Sequence, residues 1–163
     1  MQNHAAVIER LINEHEQSLT KVQELDAAVG QLASLKQDWI PGRPLNLAQD
    51  LDRLEKTLKE ISEELEGHLR FEENEFLPLL TNYAADIIRS GLMFEHRQIL
   101  DSIAVLRKSA RGLVGKYLSR DELLVREYAI KESINNILRS VQEHARIQEV
   151  IFNLAKEALS LEL

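Results

Sequence analysis

The sequence is poor in the residues that form disulfides, tight turns and packed aromatic rings. It contains no cysteine, six glycines, three prolines and 5% aromatic residues among 163 positions. Without cysteine the chain can form no disulfide, thiolate zinc site or cysteine-ligated iron–sulfur cluster. The shortage of glycine, proline and aromatic residues argues against a turn-rich β-sandwich. Any metal ion would therefore be bound by histidine and carboxylate side chains.

The sequence also lacks an excess of positive charge and a long apolar run. Its formal net charge is −7, which argues against a surface that binds nucleic-acid phosphates. No apolar run approaches the roughly 20 residues that cross a bilayer, and the first residues do not follow the pattern of a secretory signal. We therefore expect a cytoplasmic protein with no nucleic-acid or membrane partner. The sequence identifies no protein partner.

Helix-forming residues with a regular apolar spacing are abundant. Breaks at residues 41–44, at Pro78 and around residues 112–119 divide the chain into four segments. In each segment apolar residues recur at spacings of three and four, which predicts one buried stripe on a helix. The predicted helices cover about residues 4–37, 46–77, 82–117 and 120–159.

Two helix starts carry the sequence pattern of a capping box. Asn46 is followed three residues later by Gln49, and Ser119 by Glu122, and such pairs satisfy the free amides of a first helical turn. Short connections force consecutive helices to run antiparallel. The predicted fold is all-α, an up-down-up-down antiparallel four-helix bundle that forms a single domain over residues 1–163.

Polar residues interrupt the four apolar stripes at related positions. In an up-down bundle the starts of helices one and three and the ends of helices two and four meet at one end. Counted from that end by helical rise, the four interrupting histidines lie roughly 14–23 Å deep, which predicts one layer. Four unrelated core histidines bonded to backbone carbonyls are the alternative, but chance does not explain the common depth. The interrupting residues are His15, His68, Glu72, His96 and His144.

A carboxylate buried in that layer would be costly unless it met a cation. Helix bundles that project His and Glu inward from all four helices are a recurrent way to build a di-iron carboxylate site. With imidazole and carboxylate donors we expect iron, and zinc or manganese also suit these ligands. The sequence thus predicts a metal centre inside the bundle.

Over nearly its whole length the chain resembles the hemerythrin-like, or HHE cation-binding, domain family. The segment HLRFEENEFLP at residues 68–78 is similar to the family's second-helix pattern of a His, a Glu four residues later and a closing Leu-Pro. Glu14-His15, Glu95-His96 and His144 with Glu149 resemble the patterns of the other three helices. The resemblance implies two iron ions joined by an oxo or hydroxo bridge, one bound by His15 and His68, the other by His96 and His144, with Glu72 and Glu149 bridging.

Two positions depart from the family pattern. Oxygen-carrying hemerythrins have a further His four residues after the third-helix ligand, and here that position is Leu100. The ligand set resembles instead the four-His, two-Glu di-iron variant of the family. Glu149 is five residues after His144, so a regular α-helix would point it about 140° away, and the neutral Gln148 has the better spacing. We expect a local π-type turn to bring His144 and Glu149 onto one face.

Nearby polar residues are predicted to bind no metal. His4 lies about 16 Å along the helix from His15 and is expected at the surface. The acidic residues around the second-helix motif are expected to form a solvated face: Glu63, Glu64, Glu73 and Glu75.

The function expected from these residues and this resemblance is that of a non-haem di-iron protein. It would bind or respond to a diatomic molecule or peroxide, namely dioxygen, nitric oxide or peroxide, or it would handle iron. Without the fifth His, redox sensing, detoxification or iron trafficking is favoured over reversible oxygen carriage. The alternative is a non-enzymatic interaction module in which the metal is purely structural. No second polar cluster predicts a pocket for an organic substrate, so the sequence leaves enzymatic activity undecided.

Overall fold

The computed structural model describes residues 4–32, 39–43, 48–79, 83–113 and 116–161. These residues form four long α-helices, and the second helix continues into a π-helical turn and a 3-10 turn. The helices are α1 (His4–Leu32), α2 (Ala48–Phe71), α3 (Tyr83–Arg111) and α4 (Arg120–Leu161), with the π turn at Glu72–Phe76 and the 3-10 turn at Leu77–Leu79.

The helices pack as a bundle in which each contacts its neighbours around the circumference. α1 and α3 each pack against both α2 and α4. An ion pair between Arg111 and Glu55 joins the end of α3 to the start of α2, as an antiparallel pair requires. The Trp39 indole donates a hydrogen bond to the carbonyl of Leu118 (3.0 Å), which ties the two described connections at one end together. The predicted all-α four-helix bundle is confirmed.

Among the residues that the structure describes, the apolar core forms two clusters. The larger cluster holds apolar residues from all four helices, with Leu58 and Ile103 among its fully buried members. The smaller lies at the end where α1 and α3 begin, and it contains Ile8, Leu11, Phe76, Leu77, Leu92 and Phe152. Along every helix the interrupting histidine falls between residues of one cluster and residues of the other. A polar layer therefore separates two apolar layers.

The ends of the helices explain where the predicted boundaries differ. α3 ends at Arg111 and not at residue 117, because Gly112 and Leu113 form a turn closed by the hydrogen bond from Leu113 N–H to the Ala110 carbonyl (3.1 Å). The start of α4 carries the predicted capping box. The Ser119 N–H donates to the Glu122 carboxylate (2.8 Å), and the Glu122 N–H donates to the Ser119 hydroxyl (3.2 Å).

Two other predictions fall where the structure gives no description. The capping box at Asn46 and the predicted helix over residues 33–37 lie outside the described residues. Among the helices that are described, none has the length and apolar content needed to cross a bilayer.

Candidate metal centre

The four helices bring their interrupting histidines into one buried layer. His15 is 8% exposed, and the other three histidines are less exposed. Each lies three or four residues from apolar core positions, so the helical repeat that buries the stripe also turns the imidazole inward. The prediction that four of the five histidines share an interior layer is confirmed. The three others are His68, His96 and His144.

The four imidazole rings form two pairs, each between neighbouring helices. The ring centroids of His15 and His68 are 4.6 Å apart, and those of His96 and His144 are 4.8 Å apart. The two pairs adjoin, since the centroids of His15 and His144 are 6.1 Å apart. The grouping of histidines into these two pairs is the one that the family resemblance implies.

Glu72 brings a fully buried carboxylate to this layer. Its Oε2 lies 3.2 Å from His96 Nε2 and 4.0 Å from His144 Nε2. One ligand atom from each of the three residues lies within 4.8 Å of the others, a grouping that could hold a metal ion. Desolvation alone would raise the pKa of Glu72, but the adjacent His96 imidazole holds that pKa below its usual range. Glu72 is thus an anion surrounded by imidazoles.

Burial and neighbouring carboxylates shift the pKa values of three of the imidazoles in different directions. Burial lowers the pKa of His15 to about 3, and the neighbouring His68 lowers it further in the same direction. Burial also lowers the pKa of His144. Burial acts to lower the pKa of His96 as well, but the carboxylates of Glu72 and Glu73 beside it outweigh burial and raise that pKa. A metal ion requires neutral imidazole, and His15 and His144 are already in that form.

Position 148, and not position 149, faces the interior. α4 is α-helical throughout, so Gln148, four residues after His144, is fully buried and Glu149 is exposed. The Gln148 amide nitrogen donates a hydrogen bond to Glu72 Oε1. The structure does not bring Glu149 to the buried cluster, because a regular helix keeps the 3.6-residue repeat. Its role as a ligand stays a prediction.

The π-type turn that was expected in α4 forms instead after α2. The Leu77 N–H donates to the Glu72 carbonyl, the five-residue step that defines a π turn. Glu72 and Phe76 are both buried within it. The expectation of a π turn in α4 is therefore wrong for the described helix, and the irregular backbone lies beside the buried carboxylate.

Three of the four imidazoles are hydrogen-bonded to carboxylates through the ring nitrogen that faces away from the interior. The Nδ1–oxygen distances are 3.0, 3.2 and 3.0 Å. Sequence reasoning missed these contacts, and it assigned Glu73 to a solvated face, whereas Glu73 is partly buried against His96. The signal was present, because each glutamate adjoins an inward residue and so lies toward the next helix. The pairs are Glu14 with His68, Glu73 with His96, and Glu95 with His144.

The atoms that face the interior suit a metal ion. The Nε2 atoms of all four histidines are buried and have no hydrogen-bond partner among the described residues, and the same holds for Glu72 Oε2. Buried polar atoms are normally hydrogen-bonded, so five converging ones without partners need another neighbour. Their chemistry is that of iron, zinc or manganese ligands. The donor set of the described residues therefore fits the predicted metal.

A cavity between α1 and α4 reaches one side of the layer. Its volume is about 360 Å³, and its lining includes the imidazole of His15 and the ring of Phe152. Glu149 lies on the same cavity, so it shares a solvent-accessible space with His15 although it is outside the buried cluster. Small molecules can approach the His15 side of the layer through this opening.

A four-helix bundle with converging His and Glu side chains in its interior defines the class of helix-bundle proteins with a candidate metal site. The family model described as hemerythrin HHE cation binding domain matches residues 6–155. The chain belongs to this hemerythrin HHE cation-binding family. Comparisons with curated proteins and with solved structures gave no match.

Proposed function

We propose that this domain binds two iron ions and uses them to bind or respond to dioxygen, nitric oxide or peroxide, or to handle iron. The observation that carries the proposal is the convergence of four imidazole nitrogens and one fully buried carboxylate, all without hydrogen-bond partners among the described residues. Membership of a cation-binding family supports it. Iron is proposed over zinc and manganese on the family resemblance, because the ligand types suit all three metals.

The proposal assigns ligands by the pairing of the rings. His15 and His68 would hold one ion, and the second pair of histidines the other. The family resemblance implies that Glu72 would bridge them; its carboxylate lies at the second pair, and its charge would balance a cation. Glu149 is proposed as the sixth ligand because it lines the same cavity as His15. The neutral amide of Gln148 carries no charge to offset a second cation.

Bound iron would supply the redox chemistry and a position for the small ligand. The chain's own residues provide the environment. Phe152 packs beside His15, with ring centroids 5.4 Å apart, and Phe76 packs edge-on against Phe152, so apolar rings cover this end of the layer. The α1–α4 cavity opens to solvent on the His15 side of the layer. A small molecule that enters this cavity would reach the His15 side of the layer.

A second candidate function is an interaction module in which the metal only holds the bundle together. The outer face of α3 favours it, because Ile87, Phe94 and Val105 are each more than 60% exposed. On α4, Ile147, Val150 and Leu154 are also exposed at helical spacing. Exposed apolar side chains that recur on one face can mark a surface for a protein partner.

Metal analysis and an optical spectrum of protein purified without chelator test the proposal. Two irons per chain with charge-transfer absorption that responds to dithionite, nitric oxide or peroxide would support it. A colourless zinc protein with no such response would contradict it and favour the interaction module.

Single substitutions test the ligand assignment. His68→Ala should lower the iron content of the purified protein, and Glu149→Gln should do the same if Glu149 is the sixth ligand. The matched control is Glu143→Gln, an exposed glutamate of the same helix that is not assigned as a ligand. Full iron occupancy in Glu149→Gln would remove Glu149 from the ligand set and leave the other five residues in place.

A further inference from the structure

The three glutamate–imidazole pairs follow the order of the helices around the bundle. Each glutamate adjoins an inward-facing residue of its own segment, yet it bonds the histidine of the next helix along the chain. α1 supplies the partner for α2, the π turn after α2 supplies the partner for α3, and α3 supplies the partner for α4. The glutamates are Glu14, Glu73 and Glu95, and their imidazoles are His68, His96 and His144.

The carboxylate of each pair determines which ring nitrogen of the imidazole carries the proton. An ionised carboxylate can only accept a hydrogen bond, so Nδ1 of its partner must donate and must carry a proton. In a neutral imidazole the other nitrogen, Nε2, is then the unprotonated one. These Nε2 atoms are buried in the interior layer without a hydrogen-bond partner among the described residues. Glu14 and Glu95 thus select, in His68 and His144, the tautomer whose lone pair points inward.

We propose that these three glutamates are positioning residues, each of which holds the imidazole of the next helix with Nδ1 protonated. In metal-free His68 and His144 this leaves Nε2 bare toward the interior, whereas His96 Nε2 also lies 3.2 Å from Glu72 Oε2. Each of these hydrogen bonds joins one glutamate to one imidazole, so the glutamate acts on the interior layer only through that ring. The inference rests on the proposed function for what Nε2 binds, whereas the tautomer itself requires no metal.

Among the described residues, this series of glutamate–imidazole pairs does not continue from α4 to α1. Within the described part of the chain, no hydrogen bond joins His15 to a carboxylate, and the α1–α4 cavity lies at this step. His15 therefore differs from the three held imidazoles. It serves as an internal reference, because substitution of a positioning glutamate should leave its tautomer unchanged.

The pair on α3 and α4 offers a matched control. Glu95 and Glu143 both line a cavity of about 210 Å³ beside His144. Glu95 lies 3.0 Å from His144 Nδ1, whereas Glu143 is exposed. Removal of either carboxylate changes the local charge by the same amount, so a difference between the two variants reports the hydrogen bond.

The experiment measures the ring-nitrogen shifts of metal-free protein in alkaline buffer by ¹⁵N NMR, and the affinity for Co²⁺ by competition with a chelator. Glu95→Ala should shift His144 toward the Nε2–H tautomer and weaken Co²⁺ binding about 10- to 100-fold. Glu95→Gln keeps an oxygen acceptor, so it should keep the tautomer and lose less affinity. Glu143→Ala should change neither quantity.

Glu14→Ala repeats the test at a second pair. Glu14 lies 3.0 Å from His68 Nδ1, and Glu63 lines the same cavity of about 320 Å³, so Glu63→Ala is its control. An unchanged His68 or His144 tautomer in the alanine variants would overturn the inference, as would equal weakening in the controls. A wild-type chain that binds neither iron nor Co²⁺ would overturn the proposed function, and the metal-free tautomers would still decide the inference.

Discussion

Replacement of Gln148 by glutamate tests the inward face of α4 most directly. In the native chain the Gln148 amide donates to the Glu72 carboxylate, and both residues are fully buried. Gln148→Glu keeps the shape of the side chain, removes this donor and places a second carboxyl group against the first. We expect the metal-free variant to be destabilised and a divalent cation to restore much of the loss, because two adjoining carboxylates need a positive partner.

The magnitude follows from the burial of both groups. Two carboxylates that share a site cannot both ionise, so the variant retains one proton. Holding that proton at pH 7 against an ordinary glutamate pKa of about 4.3 costs about 3.7 kcal/mol, at about 1.36 kcal/mol per pKa unit. The protonated carboxyl again donates to its neighbour, which restores the hydrogen bond. We therefore expect the free energy of unfolding of the metal-free protein to fall by about 3–4 kcal/mol.

The penalty should depend on pH in a defined direction. The carboxyl group at position 148 has a raised pKa in the folded state, so its cost falls as the pH decreases toward the unfolded-state value. At pH 5 the same reasoning leaves about 1 kcal/mol. The cost therefore grows as the pH rises from 5 to 7.

Thermal unfolding with and without Co²⁺ measures both effects. For a domain of this size we expect the melting temperature of metal-free Gln148→Glu to fall by about 7–14 °C at pH 7. The control is Gln142→Glu on the same helix, where the side chain is exposed and the change should stay within about 0.5 kcal/mol. A loss that is equal in both variants, or that does not depend on pH, would refute the contact between Gln148 and Glu72.

Glu72→Ala should reduce bound metal substantially, measured by elemental analysis, while the far-ultraviolet circular dichroism stays close to that of the parent; His4→Ala should change neither. Leu100→His should bind iron at least as tightly as the parent and form a longer-lived dioxygen adduct, measured by optical spectroscopy; reduced iron with unchanged spectra would contradict this. Ser119→Ala should lower the free energy of unfolding by about 1 kcal/mol through loss of the helix cap, measured by urea unfolding. The Ser119 backbone N–H and hydroxyl hold the pKa of Glu122 below its usual range, so this cap stabilises fully above the unfolded-state pKa and fades as the pH falls through the folded-state value.

The sequence was sufficient to predict the bundle and the layer of histidines. Both depend on the three-and-four spacing of apolar residues, which fixes the buried side of a helix over many turns. His15 and His96 could be placed in the interior because each replaces one apolar residue within such a stripe. Their common depth followed from helical rise and antiparallel order alone.

Details that change when a helical position shifts by one residue were not predictable from the spacing of apolar residues. Choosing between Gln148 and Glu149 required knowing whether α4 departs from the regular repeat, and no local pattern specified where a π turn would form. The contacts of Glu73 and Glu95 depend on rotamers set between two helices. The sequence places both glutamates beside inward residues, but a spacing rule within one helix does not specify which imidazole each of them contacts.

The π turn at Glu72–Phe76 has a consequence for how related sequences are aligned. Its backbone bond spans five residues where an α-helix spans four, so the segment holds one more residue than a regular turn. Asn74 is exposed in its centre and could be deleted without emptying the core. A relative with a regular turn here would be one residue shorter, and an alignment without a gap would pair every later residue of this segment with the wrong counterpart. Such relatives should first be compared by the number of residues in the segment after Glu72, and only then by residue identity.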